Sequence, residues 1–192
     1  MESHGSTKRK RKSVLRVSRI TEDMDRLLQK DAEEKGTSVN ALINSIFTRY
    51  AEWDRYAARF GYVSIGKDLL VSILVATDEK KLVEIADKLG GELTRQFLLF
   101  WFKRVNLETF LAYVSLVCRY GGIAKYEMEF ARNEYTITTI HELGMPWSNF
   151  LKHFIDHGLR DNLGIVAQFD VSRNSVVGKF ASPRGNLGRP DA

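Results

Sequence analysis

The hydrophobic positions of the chain change their spacing several times, and each change marks an element. Residues 13–20 carry Val14, Val17 and Ile20, with Leu15 compatible, and read as a short extended segment because such side chains suit a pleated backbone. Met24, Leu27, Leu28 and Ala32 then recur at helical spacing with polar residues between them. Thr21 is placed to cap that helix, Glu22 and Asp23 stand in its first turn, and Gly36 stops it. Thr37 and Ser38 offer a second cap. Behind them Val39, Leu42, Ile43, Ile46, Phe47 and Tyr50 form one stripe, and the helix is expected to run through Trp53 to about Arg59, with Gly61 ending it.

From Tyr62 the pattern differs. Residues 69–75 are strongly apolar. Thr77, Asp78 and Glu79 start a helix that ends at Gly90 and Gly91, and residues 92–104 and 107–120 read as two more. After Gly121 and Gly122, residues 125–130 and 135–142 read as strands of a hairpin. Pro146 suits the first turn of a helix with the stripe Trp147, Phe150, Leu151 and Phe154. Residues 165–171 and 176–180 form a second expected hairpin. The pattern gives a basic arm over residues 1–12, a strand-helix-helix module over 13–60, an α+β domain over 62–181 and a loose tail over 182–192. The α+β domain is expected to hold a four-stranded antiparallel sheet covered by helices. No internal repeat is visible.

Composition sharpens this picture in three ways. At 192 residues with 44% hydrophobic and 28% charged side chains, the chain can bury a core. Its net charge of +5 is unevenly spread: Lys8, Arg9, Lys10, Arg11, Lys12, Arg16 and Arg19 occur between residues 8 and 19, with no acid among them. Such a block is either a solvated tail or an arm that tracks phosphates. The single cysteine, Cys118, excludes an internal disulfide, leaves no cysteine cluster to suggest zinc, and in its apolar setting reads as core packing. The apolar run 97–102 is far shorter than a membrane span, and the basic N-terminus lacks the apolar core of a signal peptide, so the expected location is the cytoplasm, without a membrane partner.

The order of basic arm, strand, helix, Gly turn and helix resembles the ribbon-helix-helix family of the Arc and methionine repressors. The resemblance covers residues 13–50, and its markers are Arg19-Ile20-Thr21, the Met24, Leu27, Leu28, Ala32 stripe, and Gly36-Thr37-Ser38-Val39-Asn40. It implies an intertwined homodimer, since so small a segment has little interior of its own. Met24, Leu27, Leu28, Leu42, Ile43, Ile46 and Phe47 would form the dimer core. A two-stranded ribbon would enter the major groove of double-stranded DNA. At the second helix start the amides of Ser38, Val39 and Asn40 would meet phosphate, with the Ser38 and Asn40 side chains adding hydrogen bonds and Thr37 beside them. Lys8, Arg9, Lys10, Arg11 and Lys12 would meet phosphate as well. One detail departs from the family pattern. Counting back from Gly36, the groove-facing set is Leu15, Val17 and Arg19, and a register shift or bulge presents Arg16 and Ser18 instead. Arg16, Ser18 and Arg19 therefore all stand as base-contact candidates. The overall layout also resembles archaeal regulators with this N-terminal module, which implies nothing beyond DNA binding.

Little else in the sequence carries chemistry. His141, His153 and His157 invite a metal reading, and His153 and His157, four apart on one expected helix, could reach one ion. No thiol or acidic cluster supports them in sequence, and the expectation is two partly exposed histidines with no metal or other cofactor. No nucleophile motif, phosphate loop or paired carboxylates appear, and Glu127, Glu129 and Glu134 fit no nuclease spacing, so no enzyme is expected. The reading is a DNA-binding transcriptional regulator whose second domain senses a small-molecule effector, builds higher oligomers or recruits a partner. The alternative is an antitoxin-like interaction module whose N-terminal part dimerises.

Overall fold

A computed structural model describes residues 14–182. The basic arm of Lys8, Arg9, Lys10, Arg11 and Lys12, together with Ser13 and the tail from residue 183, lies outside the described residues. The chain divides into two compact units, Met1–Thr48 and Arg49–Ala192. The division falls inside a helix, ahead of Gly61, where the sequence pattern changes.

In the first unit, helix α1 spans Glu22–Glu34 and α2 spans Val39–Arg49. Thr21 Oγ1 accepts from the Met24 amide at 3.3 Å, and three acids occupy the first turn of α1. The helix closes on Gly36, whose φ is +60°. The Thr37 amide reaches back to the Ala32 carbonyl at 2.9 Å and the Gly36 amide to that of Glu33 at 3.0 Å, a Schellman closure that needs the left-handed residue between. Ser38 Oγ accepts from the Ala41 amide at 3.2 Å and so caps α2. The extended segment expected over 13–20 does not appear as a strand. Residues 14–20 are exposed and carry no regular structure, and every strand among the described residues lies at or beyond Lys125. A strand exists only by pairing, and among the described residues this segment pairs with no other.

The second unit is α+β. The expected long helix does not continue as one α-helix: α2 passes into a π-helical turn at Tyr50–Asp54, a short α3 at Arg55–Ala57 and a 3-10 turn at Ala58–Phe60, which Gly61 ends with a φ of +72°. Then follow α4 (Lys67–Ala76), α5 (Glu79–Lys88), a π-helical turn at Leu89–Leu93, α6 (Thr94–Phe102) and α7 (Leu107–Gly121). Asn106 and Thr109 form a reciprocal capping box at the start of α7. Strands β1 (Lys125–Ala131) and β2 (Glu134–Ile140) make the first hairpin, α8 (Met145–Leu163) crosses back, and β3 (Gln168–Ser172) and β4 (Ser175–Ala181) make the second. The four strands form one antiparallel sheet in the order β1-β2-β4-β3, with Ile137 opposite both Met128 and Gly178.

The strand pattern explains which face is covered. Tyr135, Ile137 and Thr139 of β2 and Val176 and Phe180 of β4 are buried at alternate positions, while their neighbours are not. Two apolar clusters sit on that face. One joins Leu98, Phe110, Val114, Ile137, Ile155, Leu159 and Phe180, and the other joins Leu74, Leu82, Leu143, Trp147, Leu151 and Val176. The second hairpin starts later than its apolar run: Ile165 closes the end of α8, its amide meeting the Leu159 carbonyl at 3.2 Å around the left-handed Gly164.

Candidate functional site

The N-terminal candidates are laid out by the two caps. Arg16, Ser18 and Arg19 are exposed, and so are Thr37, Ser38 and Asn40 at the start of α2, with Val39 half-buried. Ser38 Oγ accepts from the Ala41 amide, which leaves its O–H and its own amide for a ligand, whereas the Thr37 amide is taken by the Ala32 carbonyl. The first turn of α2 holds no acidic residue. Of the expected dimer core, only Leu42 is buried within the chain, and Leu28 and Ile43 are half-buried. Met24, Leu27, Ile46 and Phe47 are 50%, 64%, 49% and 60% exposed. An apolar face of this kind is unsatisfied in a single chain.

In the second unit the structure brings together residues that the sequence keeps apart. The C-terminal end of α5 carries Asp87, and one face of α8 carries His153 and His157 at i and i+4. Asp87 Oδ1 lies 3.0 Å from His153 Nδ1 and 3.2 Å from His157 Nε2. The second nitrogen of His157, Nδ1, lies 3.0 Å from Asp161 Oδ2. Among the described residues, Asp87, His153 and His157 are the one group of three metal-capable side chains whose donor atoms all lie within 4.8 Å of one another. Asp156 does not join them; its Oδ2 takes Arg160 Nη2 at 2.9 Å.

The backbone is shaped for this approach. The π-helical turn begins two residues after Asp87 and contains Gly90 and Gly91. A β-carbon on Gly90 would overlap the Phe154 carbonyl, and one on Gly91 would sit 2.7 Å from Asp161 Oδ2. Asn162 Nδ2 donates to the carbonyls of Gly90, Gly91 and Gly158 at 3.3, 3.1 and 3.1 Å. Bare backbone and one amide clamp thus hold the end of α5 against α8. Asp87 could not be found from sequence, because 66 residues separate it from His153.

The third histidine plays another part. His141 is buried, and its Nδ1 accepts from the Leu143 amide at 3.2 Å. Its Nε2 stands 2.9 Å from Ser148 Oγ, which in turn donates to the Arg173 carbonyl at 3.1 Å. Each hydrogen bond fixes the next, so Nε2 carries the proton and Ser148 gives its own to the carbonyl. Such a serine is pinned, not activated. Desolvation holds the imidazole below its ordinary value. Burial pushes the Cys118 thiol up to about 12, so it stays protonated and unreactive inside the core.

A cleft of about 1170 Å3 opens in the same unit. Trp53, Phe60, Tyr62, Phe97, Tyr113 and Trp147 are among its walls, with the Tyr62 and Tyr113 hydroxyls 3.4 Å apart. Of the cations on its lining, Arg49 pairs with Asp54 and Lys67 with Glu142, and Arg119 and Lys125 stand there as well. Part of the aromatic run 97–102 therefore lines a cavity and part, such as Leu98, fills the core. No protein-family model matches the chain, and no curated protein matches it.

Proposed function

We propose that the chain is a DNA-binding regulator that acts as a homodimer through its N-terminal ribbon-helix-helix-like segment. The observation that carries this reading is the apolar face of α1 and α2, left exposed in the single chain beside a sequence block of seven cations and no acids. A second copy would cover Met24, Leu27, Ile46 and Phe47 and supply the strand with which residues 14–20 would pair, while DNA phosphates would meet the cations. The capped start of α2, with free amides and no acid, suits a phosphate. The second unit, with its own core, fits a sensing or assembly role better than an antitoxin tail, which is short and unstructured until it binds. Its aromatic cleft, with Arg119 and Lys125 on the lining, suits an apolar effector that bears a negative charge.

The test is fluorescence anisotropy with a labelled duplex from upstream of the gene, against a random duplex, over a series of salt concentrations. Wild type should prefer the upstream duplex, with affinity falling steeply as salt rises. Arg16→Ala/Arg19→Ala should lose the preference and keep the weaker general binding. Equal, salt-sensitive binding to both duplexes that survives the double substitution would reduce the N-terminus to a basic tail.

A further inference from the structure

We propose that Asp87, His153 and His157 form a binding site for a divalent first-row transition-metal ion, with Asp161 orienting His157. This goes beyond DNA binding and does not rest on it. Two imidazoles and one carboxylate, without a thiol, are the donor set of borderline ions such as zinc, cobalt and nickel. Bonds of about 2.1 Å at tetrahedral or octahedral angles put neighbouring donors roughly 3.0–3.4 Å apart. The distances from Asp87 Oδ1 to the two imidazole nitrogens, 3.0 and 3.2 Å, fall in that range.

Hydrogen bonding from a neutral ring leaves a conflict at His157. A neutral imidazole has one N–H, yet both nitrogens of His157 face carboxylate oxygens, Nδ1 facing Asp161 and Nε2 facing Asp87. If Nδ1–H is given to Asp161, the Nε2 lone pair meets an anionic oxygen at 3.2 Å. A cation between them removes the repulsion, and a carboxylate behind the far nitrogen is the usual support for a metal-bound histidine. The three side chains are 27–32% exposed, which leaves room for water or a further ligand on the ion. The glycine-lined π-helical turn and the Asn162 clamp already hold α5 at α8, so the donors need no large movement to close on an ion. An ion held there would cross-link the two helices.

The full-length protein, stripped with a chelator, is titrated with cobalt(II) and followed by visible absorption. One cobalt per chain with d–d bands is expected, displaced by zinc(II), together with a zinc-dependent rise in the thermal midpoint. Asp87→Asn keeps the shape and a hydrogen bond but should lose the bands, as should His157→Gln. Asp161→Asn should weaken cobalt binding about 10–100-fold. His4→Ala, which tests a histidine outside the group, should leave the bands unchanged. Far-UV circular dichroism of the metal-free variants checks that each is folded, and either of the first two carries the test if the other does not fold. An absence of bands in the wild type would overturn the proposal. Bands undiminished in Asp87→Asn and His157→Gln would overturn it too.

Discussion

His141 ties β2 to α8 and to the β3–β4 turn through one chain of hydrogen bonds, and that chain works only with a neutral ring. Its Nδ1 already accepts the Leu143 amide, so a second ring proton would point at a donor. With the folded value lowered by burial, the unfolded chain takes up the proton first as pH falls below about 6.5. The stability tied to this group is present above that pH and is lost as pH falls toward the folded value. Urea midpoints measured between pH 7.5 and 5.5 should therefore fall more steeply for wild type than for His141→Gln; parallel slopes would refute the link. Gly158 offers a second test at this scale. A β-carbon there would overlap the ring of Phe110, itself fully buried, and would stand 2.8 Å from its Cζ. Alanine gains about 1 kcal/mol of helix propensity, whereas overpacking a closed core costs about 1–3 kcal/mol. The ring is fully buried, so Gly158→Ala should be destabilising by up to about 2 kcal/mol in urea; a rise in the midpoint would refute the close approach.

Elements with local punctuation were legible. Thr21, Ser38 and Asp78 mark the starts of α1, α2 and α5 because their side chains accept orphan amides, Gly36 ends α1 by taking a positive φ, and Pro146 suits the first turn of α8 because it has no N–H to leave unpaired. The two hairpins and the antiparallel sheet followed from runs bounded by polar turns. The π-helical turns at Tyr50–Asp54 and Leu89–Leu93 had no such marker: they are set by packing, by Trp53 among Tyr62, Trp101 and Tyr120 in one case and by bare glycine backbone on α8 in the other. That is also why two of the three residues of the Asp87–His153–His157 group were readable, as an i, i+4 pair, and the carboxylate was not. The first hairpin gives a prediction at this scale. Arg132 and Asn133 both hold positive φ, +51° and +64°, in a two-residue turn whose preferred sequence is Asn-Gly. Arg132→Asn/Asn133→Gly should raise the unfolding free energy by about 1 kcal/mol, read from urea curves; no gain would mean that the Arg132 side chain contributes something that its backbone strain conceals.

At the scale of the whole molecule, the two units differ in how complete they are. The second has two apolar clusters beneath its sheet. The first buries only Ala32 and Leu42 in its helices up to Thr48 and exposes most of the residues that its own spacing marks as a core. Burying apolar surface contributes about 25 cal/mol per Å2, so a face of this kind favours association wherever a complementary one is offered, and in a solution of this chain another copy always offers it. Sedimentation equilibrium should show a dimer. Phe47→Glu should shift it to monomer, because a carboxylate in the middle of a dry four-helix core would lose its water without gaining a partner. The same variant should lose upstream-duplex preference although Phe47 is no candidate for a DNA contact. Loss of both together would tie recognition to the paired ribbon. A dimer that survives Phe47→Glu would place self-association in the second unit, and the exposed face of α1 and α2 would then have to meet a different protein.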